Sequence, residues 1–244
     1  SYPGSGDTTV VHLSRSLPVS QKGELGRGLK GADVRFSVNG EAVSLAWTDD
    51  SIPGVPAQSY YAVKTYEDGD KVNITAAAEG MKAVSSATVV PSRFPLTSIN
   101  FVLKGGEPNQ LQFWIHFTDN AQTKDYYALK VERKRQFWND SKYSVENSSL
   151  TLNLDDEPLL NTSSGLDDIL MIENEFYRNL YYWDDTKIQG KSYKVRLNTN
   201  YEADYEDDFI TPDGVEHIKC QVKYRISLYS LSEEFYRYLK SLND

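Results

Sequence analysis

Cysteine is nearly absent. The 244 residues hold one, Cys220, so no intrachain disulfide exists and the fold must rest on its packed core. That settles no compartment, because a domain with a sufficient core is exported without disulfides. Histidine is almost as scarce. His12, His116 and His217 show none of the i, i+2 or i, i+4 spacings of a short zinc motif, and no metal ligand is assigned. No run approaches the ~20 apolar residues of a membrane-spanning helix. No G-x-S-x-G turn occurs, so nothing marks a serine hydrolase. Basic charge is the minority sign, with 26 Lys+Arg against 35 Asp+Glu. An acidic surface repels phosphate backbones and anionic lipid, which disfavours nucleic acid and a membrane face as partners.

What is present is β-forming and aromatic. Tyrosine alone contributes 17 residues, and Val, Ile, Thr and Tyr recur in short alternating runs. Charge and aromatics are unevenly placed. Residues 1–95 carry 9 Lys+Arg and 10 Asp+Glu, whereas residues 96–244 carry 17 and 25 and hold 23 of the 30 aromatics. Pro91 and Pro95 bracket a stiff connector, and the boundary between two domains is expected there, 1–95 and 96–244.

The first part reads as short strands with turn residues every 8 to 12 positions, the spacing of an immunoglobulin-like sandwich. Its clearest signal is Asn39-Gly40 between two alternating runs, a tight hairpin turn. In the second part, "LQFWIHFTD" and "DYYALKVERKRQF" read as a long hairpin around Asp119-Asn120-Ala121. Residues 139–170 read as long polar loops with one short strand, "SLTLNL". "KSYKVRLNTNYEA" and "EHIKCQVKYRISLYSL" read as paired core strands. The chain closes on a short amphipathic helix, with Phe235, Leu239 and Leu242 at helical spacing and Ser230 or Ser232 as cap. The fold class is therefore mainly β, two β-sandwich domains of the immunoglobulin kind with a short C-terminal α-helix.

Several motifs fail on context. Gly26 to Gly31 fits G-x-G-x-x-G, but a strand follows where a dinucleotide site needs a helix. Gly190-Lys191-Ser192 resembles the end of a phosphate loop, but the required earlier glycine is Asp185. No cofactor is expected. Cys220 lies in an alternating strand and reads as a buried small hydrophobe. Five acidic pairs, at 49–50, 155–156, 167–168, 184–185 and 207–208, read first as solvated turns. Carboxylates of this kind also bind calcium or, as a facing pair, cleave glycosides. The clusters Phe137-Trp138, Phe176-Tyr177 and Tyr181-Tyr182-Trp183 read first as core, with a stacking surface for sugar or peptide as the functional alternative. Asn73, Asn139, Asn147 and Asn161 head glycosylation sequons, which matter only in a eukaryotic secretory protein.

"YYWDDTKIQGKSYKVRL", residues 181–197, joins an aromatic, an Asp, a spacer, a Gly and K-x-Y leading into a strand. It resembles a signature of an uncharacterised family of Bacteroidetes outer-membrane lipoproteins, known as a domain of unknown function. "VHLSRSLPV", "LKGADVRFSVNGE", "YEDGDKVNITAAAEGMKAVSSATVVPSRFPL" and "ISLYSLSEEFYRYLKSL" resemble further segments of that family, in the same order. The resemblance implies an export signal, an N-terminal lipid anchor, an outer-membrane location and a role beside a TonB-dependent transporter. It implies no catalytic residue. It also implies that a signal peptide and lipidated cysteine precede Ser1, and that the chain continues beyond Asp244.

The expected function is thus a non-enzymatic surface lipoprotein that binds a transporter partner, a glycan or a peptide. Its contact surface is expected on the loops between about 136 and 185, since function concentrates in loops on rigid scaffolds. Trp138, Tyr182 and Trp183 are the candidate ligand-binding residues. The alternatives are an adhesin or fimbria-like subunit joined by strand exchange, and a polysaccharide- or peptide-acting hydrolase. Within the signature, Gly190 is expected to turn the chain into a strand, with Asp184 capping that turn.

Overall fold

The structure is a computed structural model that describes residues 2–3, 8–14, 28–104, 110–139, 142–162, 179–212 and 214–241. The chain is mainly β, built of antiparallel sheets, with one short C-terminal α-helix. Its contacts divide it into two compact units, Ser1–Ser92 and Arg93–Asp244.

The first unit holds β1 (Tyr2–Pro3), β2 (Thr8–Val11), β3 (Asp33–Val38), β4 (Glu41–Val43), β5 (Ala46–Thr48), β6 (Ser59–Val63), β7 (Lys71–Ala77) and β8 (Val84–Val89). They form two four-stranded sheets, β1-β2-β6-β5 and β4-β3-β7-β8. Asn39 and Gly40 have φ of 54° and 86°, the left-handed pair that a tight hairpin requires between β3 and β4. The strand run after that turn divides, however. Residues 41–43 stay in the hairpin, and β5 crosses to the other sheet to pair with β6.

The second unit holds β9 (Leu96–Leu103), β10 (Gln110–Thr118), β11 (Tyr126–Asn139), β12 (Lys142–Ser149), β13 (Asn161–Thr162), β14 (Tyr181–Asp184), β15 (Ser192–Asn200), β16 (Tyr205–Thr211), β17 (Gly214–Leu231) and α1 (Glu233–Ser241). One sheet runs β15-β10-β9. The other runs β13-β14-β11-β17-β16, with β12 also on β11. The expected hairpin of β10 and β11 is not one: β10 pairs with β9 and β15, whereas β11 pairs with β12, β14 and β17. Residues 119–125 carry the chain between sheets. Likewise β15 and β17 are both core strands but lie in different sheets. Within "SLTLNL", Ser149 ends the eight-residue β12 that begins in the polar stretch before it, and the rest adds an isolated bridge, Asn153 to Asn198. Residues 163–178, including Asp167-Asp168 and Phe176-Tyr177, lie outside the described residues.

Alternation explains the main core. The inward residues of β10 (Leu111, Phe113, Ile115, Phe117) and of β15 (Val195, Leu197) meet Tyr127, Leu129 and Val131 of β11. Tyr181 and Trp183 of β14 join the same cluster. A second core lies on the opposite face of β11 and β14, where α1 supplies Tyr236 and Leu239 against Ala128, Leu180, Tyr182 and Leu231. Ser232 caps α1, its Oγ accepting from the Phe235 N–H at 3.3 Å. Glu233 and Glu234 then meet the positive end of the helix and Lys240 the negative end. The buried face is Tyr236 and Leu239, with Phe235 only partly covered, and Leu242 lies outside the described residues.

Beyond about residue 132, β11 and β17 leave the core as a long ribbon, flanked by β12 on one side and β16 on the other.

Candidate functional site

The signature stretch folds into a knot of carboxylates. Asp184 ends β14 and caps a short 3₁₀ turn at Asp185–Lys187, its Oδ1 accepting from the Thr186 N–H at 2.8 Å. Asp185 is fully buried, and its Oδ2 accepts from the Asp125 N–H at 2.7 Å. Its Oδ1 is ion-paired to Lys124. Asp119, also buried, accepts from the Tyr127 hydroxyl at 2.7 Å and from the Gly190 N–H at 2.8 Å. Burial and the neighbouring Asp119 carboxylate raise the Tyr127 pKa, which keeps the phenol a donor. Gly190 has φ of +67°. The cap on its turn therefore comes from Asp119, not from Asp184 as the sequence suggests, because residues 119–125 cross between sheets directly beside it.

Asp119, Asp125 and Asp185 bring carboxylate oxygens within 4.8 Å of one another, the geometry in which a cation is first suspected. The acceptors are already engaged, and Lys124 supplies the positive charge. Its own desolvation lowers its pKa, but the Asp185 hydrogen bond and the charges of Asp184 and Asp185 outweigh that and raise it. Calcium takes 6–8 oxygens. The knot is therefore read as a lock between the sheets.

The ribbon offers a different surface. Cross-strand register places Tyr143, Trp138, Lys219 and Glu206 in one row, since Tyr143 faces Trp138, Trp138 faces Lys219 and Lys219 faces Glu206. His217 and Asp208 pair in a neighbouring row on the same face. Trp138, Lys219, Glu206, His217 and Asp208, with Asn139, Asp207 and Ile218, line an open groove of about 540 Å³, and Tyr143 packs on Trp138 beside it. The Trp138 and Tyr143 rings lie 5.4 Å apart. Lys219 is ion-paired to Glu206, which raises its pKa, and His217 Nδ1 lies 2.5 Å from Asp208 Oδ1. Asn139 Oδ1, in the groove wall, is buried without a hydrogen-bond partner.

The family model for a domain of unknown function, DUF4249, matches residues 1–244. The chain belongs to the DUF4249 family. No curated protein and no solved structure matches it.

In this DUF4249 chain the three expected ligand residues part company. Trp183 and Tyr182 are 1% and 3% exposed, so they present no surface to a ligand. β14 is covered on both faces: Trp183 points into the main core, and Tyr182 points into the core that α1 closes. Trp138 is 37% exposed and lines the groove. Sequence reading missed Tyr143, Glu206 and Lys219 and gave His217 a bland role. Their strands alternate visibly, but only the register shows that they share a row.

The described acidic pairs sit on separate elements. Asp49 is hydrogen-bonded to Lys30 and Trp47, Asp156 to Lys104, Gln112 and Asn198, and Asp184-Asp185 belong to the knot. Cys220 is 1% exposed in β17, as its strand pattern suggests.

At the root of the ribbon, Arg135 grips Glu202 through Nε at 2.7 Å and its terminal nitrogen at 2.8 Å, and Arg133 adds a third contact at 2.7 Å. The Arg135 hydrogen bonds hold the Glu202 pKa below its usual 4.5, against an opposing effect of burial. A carboxylate with a depressed folded pKa stabilises the fold above its unfolded pKa. That contribution is lost as pH falls through the folded value. The melting-temperature gap between the wild type and Glu202→Gln is therefore expected to be largest near neutral pH. It should begin to narrow below about pH 4.5, where the unfolded carboxylate takes up its proton, and close only below the lower folded value. A gap independent of pH would place the effect in packing.

Proposed function

We propose that this protein is a non-enzymatic, lipid-anchored outer-membrane protein that binds a neutral glycan on the ribbon face and serves a TonB-dependent uptake system. Its two units are read as immunoglobulin-like sandwiches, of which the second carries this surface. The supporting observation is the cross-strand row of Tyr143, Trp138, Lys219 and Glu206. A sugar offers an apolar C–H face and vicinal hydroxyls that both donate and accept. An aromatic pair suits the first. The Lys219–Glu206 ion pair and the His217–Asp208 hydrogen bond suit the second, each presenting polar groups to hydroxyls. Three carboxylates line the groove against Lys219 and His217, so an anionic ligand is disfavoured relative to a neutral polyol. The volume falls within the range of small-molecule sites. Of the described acidic pairs only Asp207-Asp208 lines the groove, and its Asp208 carboxylate is hydrogen-bonded to His217.

The test is a glycan array of neutral and anionic oligosaccharides probed with the full chain, followed by calorimetry on any hit. Trp138→Ala is expected to weaken a neutral hit by about tenfold or more, given ~1.4 kcal/mol per decade. Its melting temperature should barely move, since the side chain is partly exposed. Binding confined to anionic sugars, or unchanged in Trp138→Ala, would refute the groove. Crosslinking in the native outer membrane tests the uptake role: one dominant TonB-dependent transporter supports it, and self-crosslinks alone count against it.

A further inference from the structure

The face of the ribbon that carries the groove continues toward the core of the unit. The register sets Trp138 opposite Lys219, then Gln136 opposite Gln221, Lys134 opposite Lys223 and Glu132 opposite Arg225. Side chains alternate along a strand, so these four rows share one face. Two lysines directly opposite each other repel and weaken the pairing of their strands. Arg225 adds a third cation one row on. All three are exposed, and among the described residues none of them has an ion-pair partner. Two carboxylates of the same stretch are engaged elsewhere. Glu132 pairs with Lys130 at 3.8 Å, and Asp204 accepts from the Val222 N–H at 2.7 Å.

The opposite face of β11 differs. There Arg133 and Arg135 are matched by Glu202 and Glu146. In a chain of net charge −9, three unmatched cations in adjacent rows add nothing to the fold and lie open to an anion from outside. Charge therefore changes sign along one face. Glu206, Asp207 and Asp208 line the groove, and the cations follow nearer the core. The row between holds the amides Gln136 and Gln221, which donate to and accept from hydroxyls. At about 3.3 Å per residue, the lysine pair stands roughly 13 Å from the Trp138 row. A single sugar is too short to touch both, whereas a short oligosaccharide reaches.

We infer that Lys134, Lys223 and Arg225 form a subsite for an anionic sugar. The ligand is then an oligosaccharide with a neutral unit on Trp138 and a carboxylate or sulfate a few units away. This rests on the glycan reading of the groove and adds a direction to it. The acidic groove rejects the charged end and the cations receive it, so the bound chain lies with its anionic end toward the core. Arg225 suits a carboxylate through its planar fork, and the lysines act as point charges beside it.

Calorimetry of the full chain tests this, with neutral oligosaccharides selected on the array and each of them again with one uronate at either end. With the uronate at the favoured end, binding is expected to tighten about five- to tenfold at low salt, an advantage that shrinks as salt screens it. In the double variant Lys134→Gln, Lys223→Gln the advantage should vanish while the neutral parent binds as before. That variant should melt no lower than the wild type, since it relieves a like-charge pair. Trp138→Ala should weaken both forms by the same factor. Equal binding of the two forms, or an advantage that survives the double variant, would overturn the subsite and leave the groove reading intact. An array without a neutral hit would remove the groove reading, and the subsite with it. Phosphatidylglycerol vesicles that bind the wild type but not the double variant would assign the cations to a lipid surface and overturn the inference as well.

Discussion

Trp183→Ala is expected to cost the second unit about 3–5 kcal/mol, the range for deleting a large buried aromatic. For a unit of this size that lowers the melting temperature by roughly 10 °C, at about 2–4 °C per kcal/mol. The reason is position. Trp183 lies within ring-contact distance of Tyr127 (5.6 Å), Phe117 (6.0 Å) and Phe94 (6.2 Å), so its loss leaves a cavity bounded by rigid rings that cannot collapse to fill it. Trp183→Phe separates two effects. The indole N–H is buried without an acceptor, which is itself unfavourable. Phenylalanine removes that orphaned donor while keeping most of the packing, so its cost should be about 1 kcal/mol or less. Urea unfolding of both variants measures the difference. Equal losses would mean that the indole ring as a whole, rather than its volume alone, is required.

Gly190→Ala is the second large effect, and it has two separable parts. At φ of +67° a side chain costs roughly 1–2 kcal/mol. A Cβ there would also lie 2.7 Å from the Ala121 Cβ and 3.2 Å from its Cα. Neither atom is the end of a flexible side chain, so the backbone of residues 119–125 would have to move. That movement would pull Asp119 from the Gly190 N–H. The combined loss should reach about 3 kcal/mol or more, by thermal melting. Ala121→Gly in the same chain removes the Cβ clash but not the conformational strain. The double variant is therefore expected to recover about half the loss. Full recovery would assign the whole effect to the contact, and no recovery would assign it to φ alone.

Local chemistry was legible in the sequence wherever it is set by neighbours along the chain. Asn39-Gly40 announced its turn, Ser232 with Glu233 and Glu234 announced α1, and the alternation around Cys220 announced a buried thiol in a strand. Partner choice was not legible. Alternation tells which face a residue occupies but not which strand lies alongside, so β10 and β11 read as a hairpin when they belong to different sheets. The Tyr181-Tyr182-Trp183 cluster read first as core, and so it is; Tyr182 could still pass for a surface residue because its cover, Tyr236 and Leu239, comes more than 50 residues later. The groove was legible only as one tryptophan. Glu206 and Lys219 are 13 residues apart and Trp138 is far from both, so nothing short of register unites them.

The ribbon also orders events in time. Its long central pair joins Tyr126 to Leu231 and Asn139 to Ile218, so β11 waits for the last strand of the unit to be synthesised. Contacts between positions so distant along the chain close slowly, because the intervening loop must first lose its freedom. β17 is not a late addition at a border but an interior strand, with β11 on one side and β16 on the other. A chain interrupted anywhere before it would lack the middle of its largest sheet, and the strands already made would face solvent along an apolar seam. Completion of this unit is accordingly all-or-none, decided by its final strand.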